Sequence, residues 1–204
     1  MASTIGILIF DGAEELDFVG PWEVFTMSNE VRDHLKDTAA KDRVLMVSQH
    51  GGVVTSAKGM RITADHSFSD CPPLDVLLVP GGRGTRSEME NPAMLEWIGR
   101  IASNCKWVTS VCTGSLLLTE AGPAAGKRVT THWAFADQLA ARGKATVLKN
   151  VRYVRDGNVV TSAGVSAGID MALWLTGQMH GAEHARTTQR FMEYDPAPPY
   201  AADV

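Results

Sequence analysis

Cys112 stands in Trp107-Val108-Thr109-Ser110-Val111-Cys112-Thr113-Gly114-Ser115-Leu116-Leu117-Leu118, where strand formers give way to helix formers. A cysteine on a strand-to-helix turn is held at the C-terminal edge of a sheet, where open α/β folds bind ligands. The first amides of the following helix are unpaired and partially positive. A thiol there is expected to ionise well below its free value of about 8.5, and the thiolate is the nucleophile. The competing reading is a small buried hydrophobe, as most free cysteines are. The flanking Thr113-Gly114-Ser115 favours the nucleophile.

Two further features could serve that sulfur. Pro80-Gly81-Gly82 follows the buried run at residues 75–79, so it lies on the same sheet edge. Glycines there are expected to turn successive amides toward a ligand as an anion-stabilising nest, although taken alone the tripeptide is an ordinary tight turn. Asp17, in Glu14-Glu15-Leu16-Asp17-Phe18-Val19-Gly20-Pro21, sits among apolar neighbours early on a helix that follows the first strand. A carboxyl there could exchange a proton with a thiol, and the stable pair would share one proton with one pKa raised. The alternative is a solvated helix acid like Glu14 or Glu15. His132, before Trp133, is either a hydrogen-bonded, partly buried ring or the histidine partner of the cysteine; the sequence leaves both open.

Two motifs argue for other chemistry and are set aside. Gly164-Val165-Ser166-Ala167-Gly168 matches a serine elbow, but no acid and histidine on later strands follow it. It is read as a close approach of helix to sheet and a pocket wall. His180-Gly181-Ala182-Glu183-His184 has the H-x-x-E-H spacing of a zinc site. The internal glycine and the lack of a third ligand argue against metal.

The elements that must position these groups alternate. Strands are expected at residues 4–10, 44–48, 75–79 and 107–111, with a small antiparallel excursion over 51–68 and a hairpin of 151–155 and 159–162 around Asp156-Gly157-Asn158. Helices are expected at 14–27, 92–102, 113–121, 132–142, 167–179 and 183–194, and residues 196–199 end regular structure. This is an α/β pattern: a doubly wound, mostly parallel sheet flanked by helices, as one domain over 1–204. A formal charge of −4 argues against nucleic acid as partner. No apolar run approaches the roughly 20 residues that span a bilayer. The first residues lack a leader pattern, and three cysteines without metal spacing predict a reducing cytoplasm with no disulfides. Cys71 and Cys105 carry no assignable role.

Taken in order, Leu16-Asp17-x-x-Gly20-Pro21, Pro80-Gly81-Gly82, Thr109-Ser110-Val111-Cys112-Thr113-Gly114-Ser115, Thr130-Thr131-His132-Trp133 and Ala167-Gly168-Ile169-Asp170 resemble the ThiJ/PfpI superfamily of the class I glutamine-amidotransferase-like fold. Within it they look most like the isocyanide (isonitrile) hydratases. Asp17 stands where many members have glutamate, and Thr113 stands where peptidase-like members have histidine. The resemblance implies Cys112, Asp17 and Thr113 as catalytic residues and Gly81, Gly82, His132, Trp133 and Val165 around a small-molecule substrate. It implies a homodimer without metal or organic cofactor. Cys112 would attack the terminal carbon of R–N≡C, giving a thioimidate that water converts to an N-substituted formamide. His132 has the spacing of the glyoxalase and deglycase branch, so a dicarbonyl substrate remains an alternative. So does a ligand sensor of the kind fused to AraC-type regulators, or a redox sensor acting through Cys112 oxidation.

Overall fold

The computed structural model describes residues 2–196. In chain order, β1 (Thr4–Leu8) leads into α1 (Glu15–His34), β2 (Arg43–Ser48), β3 (Gly52–Thr55), β4 (Arg61–Ala64), β5 (His66–Ser67) and β6 (Val76–Val79). The turn-length α2 (Thr85–Glu88) and α3 (Pro92–Ala102) precede β7 (Trp107–Ser110) and α4 (Gly114–Glu120). Then follow β8 (Arg128–Val129), a 3-10 turn (Trp133–Phe135), α5 (Ala136–Ala141), β9 (Thr146–Val147), β10 (Tyr153–Asp156), β11 (Val159–Ser162), α6 (Ala167–His180) and α7 (Ala182–Phe191).

The central sheet has the order β10-β11-β7-β6-β1-β2-β5, and only β10 runs antiparallel to its neighbour. Its inner strands are continuous apolar runs because both faces are covered. Ile5, Ile7 and Leu8 of β1, Leu77 and Leu78 of β6 and Val108 of β7 are buried and join Phe18, Phe25, Leu116, Met171 and Leu175 from the helices in one core. The doubly wound, mostly parallel architecture expected from the alternation is therefore present, with β3 and β4 as a small antiparallel sheet beside it.

The departures have local causes. The strand expected over 4–10 ends at Leu8, although the Ile9 amide still donates to Val47 O at 2.8 Å. The first helix runs to His34 rather than residue 27, because Ser28, Val31 and Arg32 continue its buried face beneath a polar surface. The end of the 51–68 excursion is not antiparallel: His66 and Ser67 pair in parallel with Val47 and Ser48, a two-residue contact too short to leave a pattern. The helix expected from 132 begins as a 3-10 turn capped by His132, whose Nδ1 accepts from the Ala134 amide at 3.2 Å. The two-residue strands β8 and β9 had no sequence signal. Of the segment expected to end regular structure, residues 197–199 lie outside the described residues.

Far from the sheet's C-terminal edge, a buried polar cluster ties α1, α6 and α7 to the N-terminal segment. His180 Nε2 lies 2.6 Å from Asp42 Oδ2 and its Nδ1 lies 2.8 Å from an Arg32 guanidinium nitrogen. Arginine can only donate, so Nδ1 accepts and Nε2 carries the proton toward Asp42. Asp42 Oδ1 also accepts from the Ser3 amide at 2.8 Å, and His184 Nε2 meets Ser28 Oγ at 2.8 Å. Both histidines of the H-x-x-E-H run are thus engaged in packing the helices together. His180→Leu strands the buried Asp42 carboxylate and should cost about 3 kcal/mol, read as a lowered midpoint in urea.

Candidate active site

From β1 the chain moves out to β2, then returns to the other side of β1 with β6, so the winding direction switches between β1 and β6. A crevice is expected outside the carboxyl ends of strands at such a point. Four connections converge there. Asp17 lies in the first turn of α1, Gly81 follows β6, Cys112 follows β7 and Val165 follows β11.

Cys112 is 6% exposed and adopts φ 56°, a left-handed conformation that costs a non-glycine residue of order 1–3 kcal/mol. Surrounding bonds hold it there. Its amide donates to the Ser162 and Ala163 carbonyls at 3.2 and 3.0 Å. Its carbonyl accepts the hydroxyls of Thr131 at 2.9 Å and Ser115 at 3.2 Å. The β6 turn presses against this elbow. A Cβ added to Gly81 would fall 2.4 Å from the Thr113 nitrogen and 2.9 Å from the Cys112 Cβ, so only glycine lets the two turns meet.

That approach carries Asp17 to the thiol. Asp17 is fully buried; its Oδ2 accepts the Gly81 amide at 2.8 Å, while Oδ1 has no aligned partner and the Cys112 thiol lies beside the carboxyl. Burial pushes the Asp17 carboxyl up to about 7, against the lowering pull of the Gly81 amide, and the nearby Glu14 charge raises it further. The expectation of an acidified thiol is overturned. Burial first, and the Asp17 charge second, push Cys112 up to about 12. The Thr113 amide and hydroxyl and the Val165 amide draw it down without prevailing. A short helix end contributes roughly half a charge within one turn, whereas loss of water acts on the whole thiolate charge. With the carboxyl at about 7 and the thiol at about 12, Asp17 ionises first, and protonating it removes only the second cause of the thiol's rise.

The glycine turn also differs from the expected open nest. The Gly81 amide is occupied by Asp17, and the Gly82 amide donates to Thr113 Oγ1 at 3.0 Å. Both glycines position side chains; neither offers a free amide to a ligand. Thr113 Oγ1 is held by Gly82 and by the Thr85 hydroxyl at 3.2 Å. Val165 sits in the serine-elbow sequence at φ 49°, rare for a β-branched residue, with its amide directed at the sulfur. Ser166 itself is exposed, within 3.4 Å of Arg152. His132, Trp133 and Val165 do come together, lining a cleft of ≈ 550 Å³ with Thr131 and Ala163. The His132 ring packs on Gly164, where an added Cβ would lie 2.3 Å from its Cδ2.

Thr85 and Thr131 escaped the sequence reading. Thr85 lies on the four-residue α2, and Thr131 differs in no way from the threonine before it until its bond to Cys112 is known. The other thiols have protein acceptors: Cys105 donates to Leu74 O and Cys71 to Pro72 O, both at 3.4 Å. Burial pushes Cys105 up to about 12. Among the described residues, no cluster of three or more His, Cys, Asp and Glu is arranged to hold a metal ion.

The raised Asp17 value links stability to pH. Between the unfolded value of 3.8 and the native value of about 7, the folded chain holds a proton that the unfolded chain has lost. Raising pH through that window therefore destabilises the wild type and not Asp17→Asn. The variant should gain up to roughly 4 kcal/mol relative to wild type between pH 4 and pH 8, measured by urea unfolding at each pH.

Known proteins share this arrangement of chain. An isonitrile hydratase of Pseudomonas putida is 43% identical over 200 residues, covering 98% of this chain and 82% of that protein. The HTH-type transcriptional regulator CdhR of Pseudomonas aeruginosa is 28% identical over 91% of this chain but only 53% of its own length. A ThiJ/PfpI family protein from Pseudomonas syringae superimposes with a TM-score of 0.89 at 32% identity, covering 100% of this chain and 80% of that one. The model of the DJ-1/PfpI family matches residues 3–178. Fold, winding and sequence agree that the chain belongs to the DJ-1/PfpI family.

Proposed function

We propose that the protein hydrates isocyanides to N-substituted formamides, with Cys112 as nucleophile and Asp17 as its proton carrier. The observation that carries this reading is the buried Asp17 carboxyl, raised to about 7 and set against the Cys112 thiol. The 43% identity to an isonitrile hydratase supports the choice of substrate. An isocyanide carbon accepts a nucleophile and a proton at the same atom, so a thiol and a carboxyl at one point match it.

The thiol proton passes to Asp17 as sulfur bonds to the terminal carbon of R–N≡C. Asp17 returns that proton to the same carbon, leaving the neutral thioimidate R–N=CH–S–Cys112. Asp17, ionised again, takes a proton from water as its oxygen adds to this carbon and passes that proton to nitrogen, giving R–NH–CH(OH)–S–Cys112 with Asp17 ionised once more. Collapse of the adduct breaks the C–S bond, the hydroxyl proton passes through Asp17 to sulfur, and R–NH–CHO leaves. The sum is one isocyanide and one water to one formamide, with no oxidant and no external group. The Thr113 hydroxyl, fixed by Gly82 and Thr85, and the Val165 amide stabilise negative charge on sulfur as it departs.

The reading extends to a homodimer, supported by the exposed apolar Leu16 and Trp22 on α1; light scattering should give twice the 22.0 kDa chain mass. It also includes a reducing cytoplasm, with which the three free cysteines are compatible. A sensor role has one observation in its favour, the match to about half of the regulator CdhR. A glyoxalase-type reaction would draw on His132, which lines the cleft next to the sulfur's own partners.

Purified protein with an alkyl isocyanide, followed by formamide detection, separates these readings. Cys112→Ala should abolish turnover, and Asp17→Asn should lower kcat/KM at least about 100-fold. The active pair carries one proton, so kcat/KM should fall as pH drops below about 7 and both groups become protonated. Turnover of methylglyoxal alone, dependent on His132, would replace the hydratase with a glyoxalase. Turnover of neither would leave the sensor.

A further inference from the structure

The cleft beside Cys112 is much larger than an isocyano group needs. Its volume of ≈ 550 Å³ lies within the range of about 300–1,000 Å³ that holds drug-sized ligands. It abuts the sulfur's own shell. Thr131 donates to the Cys112 carbonyl, Ala163 accepts the Cys112 amide and Val165 directs its amide at Sγ. Val165 is the link to the sulfur itself, since it lines the cleft while its amide is directed at Sγ, and the substituent of a reactant on Cys112 is taken to extend past it into the cleft.

One wall is aromatic. The His132 and Trp133 rings lie 5.7 Å apart, inclined by 31°, and Trp133 is 81% exposed. A tryptophan so placed makes few contacts of its own with the fold, while its face is open to a ligand. Val151, 37% exposed, adds apolar surface. The charges of the rim are already matched within the protein. Lys149 bonds Asp137 at 2.5 Å, and Arg152 bonds Asp170 at 2.5 Å. Each cation has a carboxylate partner with which an anionic substituent would compete, whereas the ring faces and apolar surface are uncommitted.

We infer that this cleft selects isocyanides whose substituent is a neutral aromatic group, stacked on the Trp133 wall, over those with short alkyl groups. The inference rests on the hydratase reading for the identity of the reacting group, and on the cleft alone for the substituent. Offset stacking together with apolar burial makes a single exposed aromatic wall worth about a tenfold preference.

The test compares kcat/KM for 1-naphthylmethyl isocyanide and ethyl isocyanide in wild type, Trp133→Ala and Trp133→Phe. The naphthyl-to-ethyl ratio should exceed one in wild type, fall about tenfold in Trp133→Ala and largely recover in Trp133→Phe. Calorimetric titration with the product N-(1-naphthylmethyl)formamide reads the same wall without turnover, and Trp133→Ala should weaken its binding by a similar factor. Hydration of both isocyanides with a ratio unmoved by Trp133→Ala would overturn the inference and leave the hydratase intact. Hydration of neither, with naphthyl binding that depends on Trp133, would remove the hydratase and keep an aromatic-selective cleft. A changed solution mass in Trp133→Ala with unaltered selectivity would assign the wall to contact between copies, overturning it.

Discussion

Between the Asp17 carboxyl and the Cys112 thiol there is dielectric room for one negative charge, and the surrounding structure follows from holding these two groups together out of water. Two ionised groups in contact and out of water repel each other strongly, while two protonated groups supply no nucleophile. With one proton between them, the carboxyl at about 7 ionises before the thiol at about 12, so the resting pair is thiol with carboxylate. The orphaned Asp17 Oδ1 is the chemical mark of this arrangement: a buried oxygen without a donor is suited to carry a proton itself.

The fold meets that requirement by letting connections from different strands touch. Gly81 is the contact point, since any side chain there would separate the β6 turn from the cysteine elbow. Its amide holds Asp17, and the next amide holds Thr113, so a turn shaped like a ligand cradle serves to align protein groups. Strain is concentrated in the two non-glycine residues that face the sulfur. Cys112 and Val165 both have positive φ, and a network of main-chain and hydroxyl bonds offsets the cost. The helices that position Asp17 and follow Val165 are fastened at their opposite ends by Arg32, Asp42 and His180. His180, one of the two histidines that resembled a metal motif, thus helps to hold the framework of the site.

Much of this was legible along the chain because period and punctuation are local. The apolar runs ending in Gly or Cys turns gave the parallel strands, and Asn91-Pro92 gave α3 at its observed bounds. The elbow at Cys112 was legible for the same reason. What failed to register was set by contacts distant in sequence. The two-residue pairing of His66-Ser67 with β2 has no period to detect. The sign of the thiol's shift was misjudged, because a helix terminus can be seen in sequence and the depth of burial cannot. Val165 was read as a wall, and its amide's role emerged only when the turn after β11 was seen beside the one after β7.

The sequence by itself determined which residue types stand at strand-to-helix turns, and hence that a cysteine, a glycine turn and an acid all belong to one edge of a parallel sheet. Strand polarity fixes that much, since every crossover returns the chain to the same edge. Only the tertiary structure decided which of them touch, which amides remain free and which group holds the proton. Those outcomes depend on separations of a few ångströms and on exclusion of water. Both arise when segments as far apart as residues 17, 81, 112 and 165 pack together, and neither is encoded in any one of them.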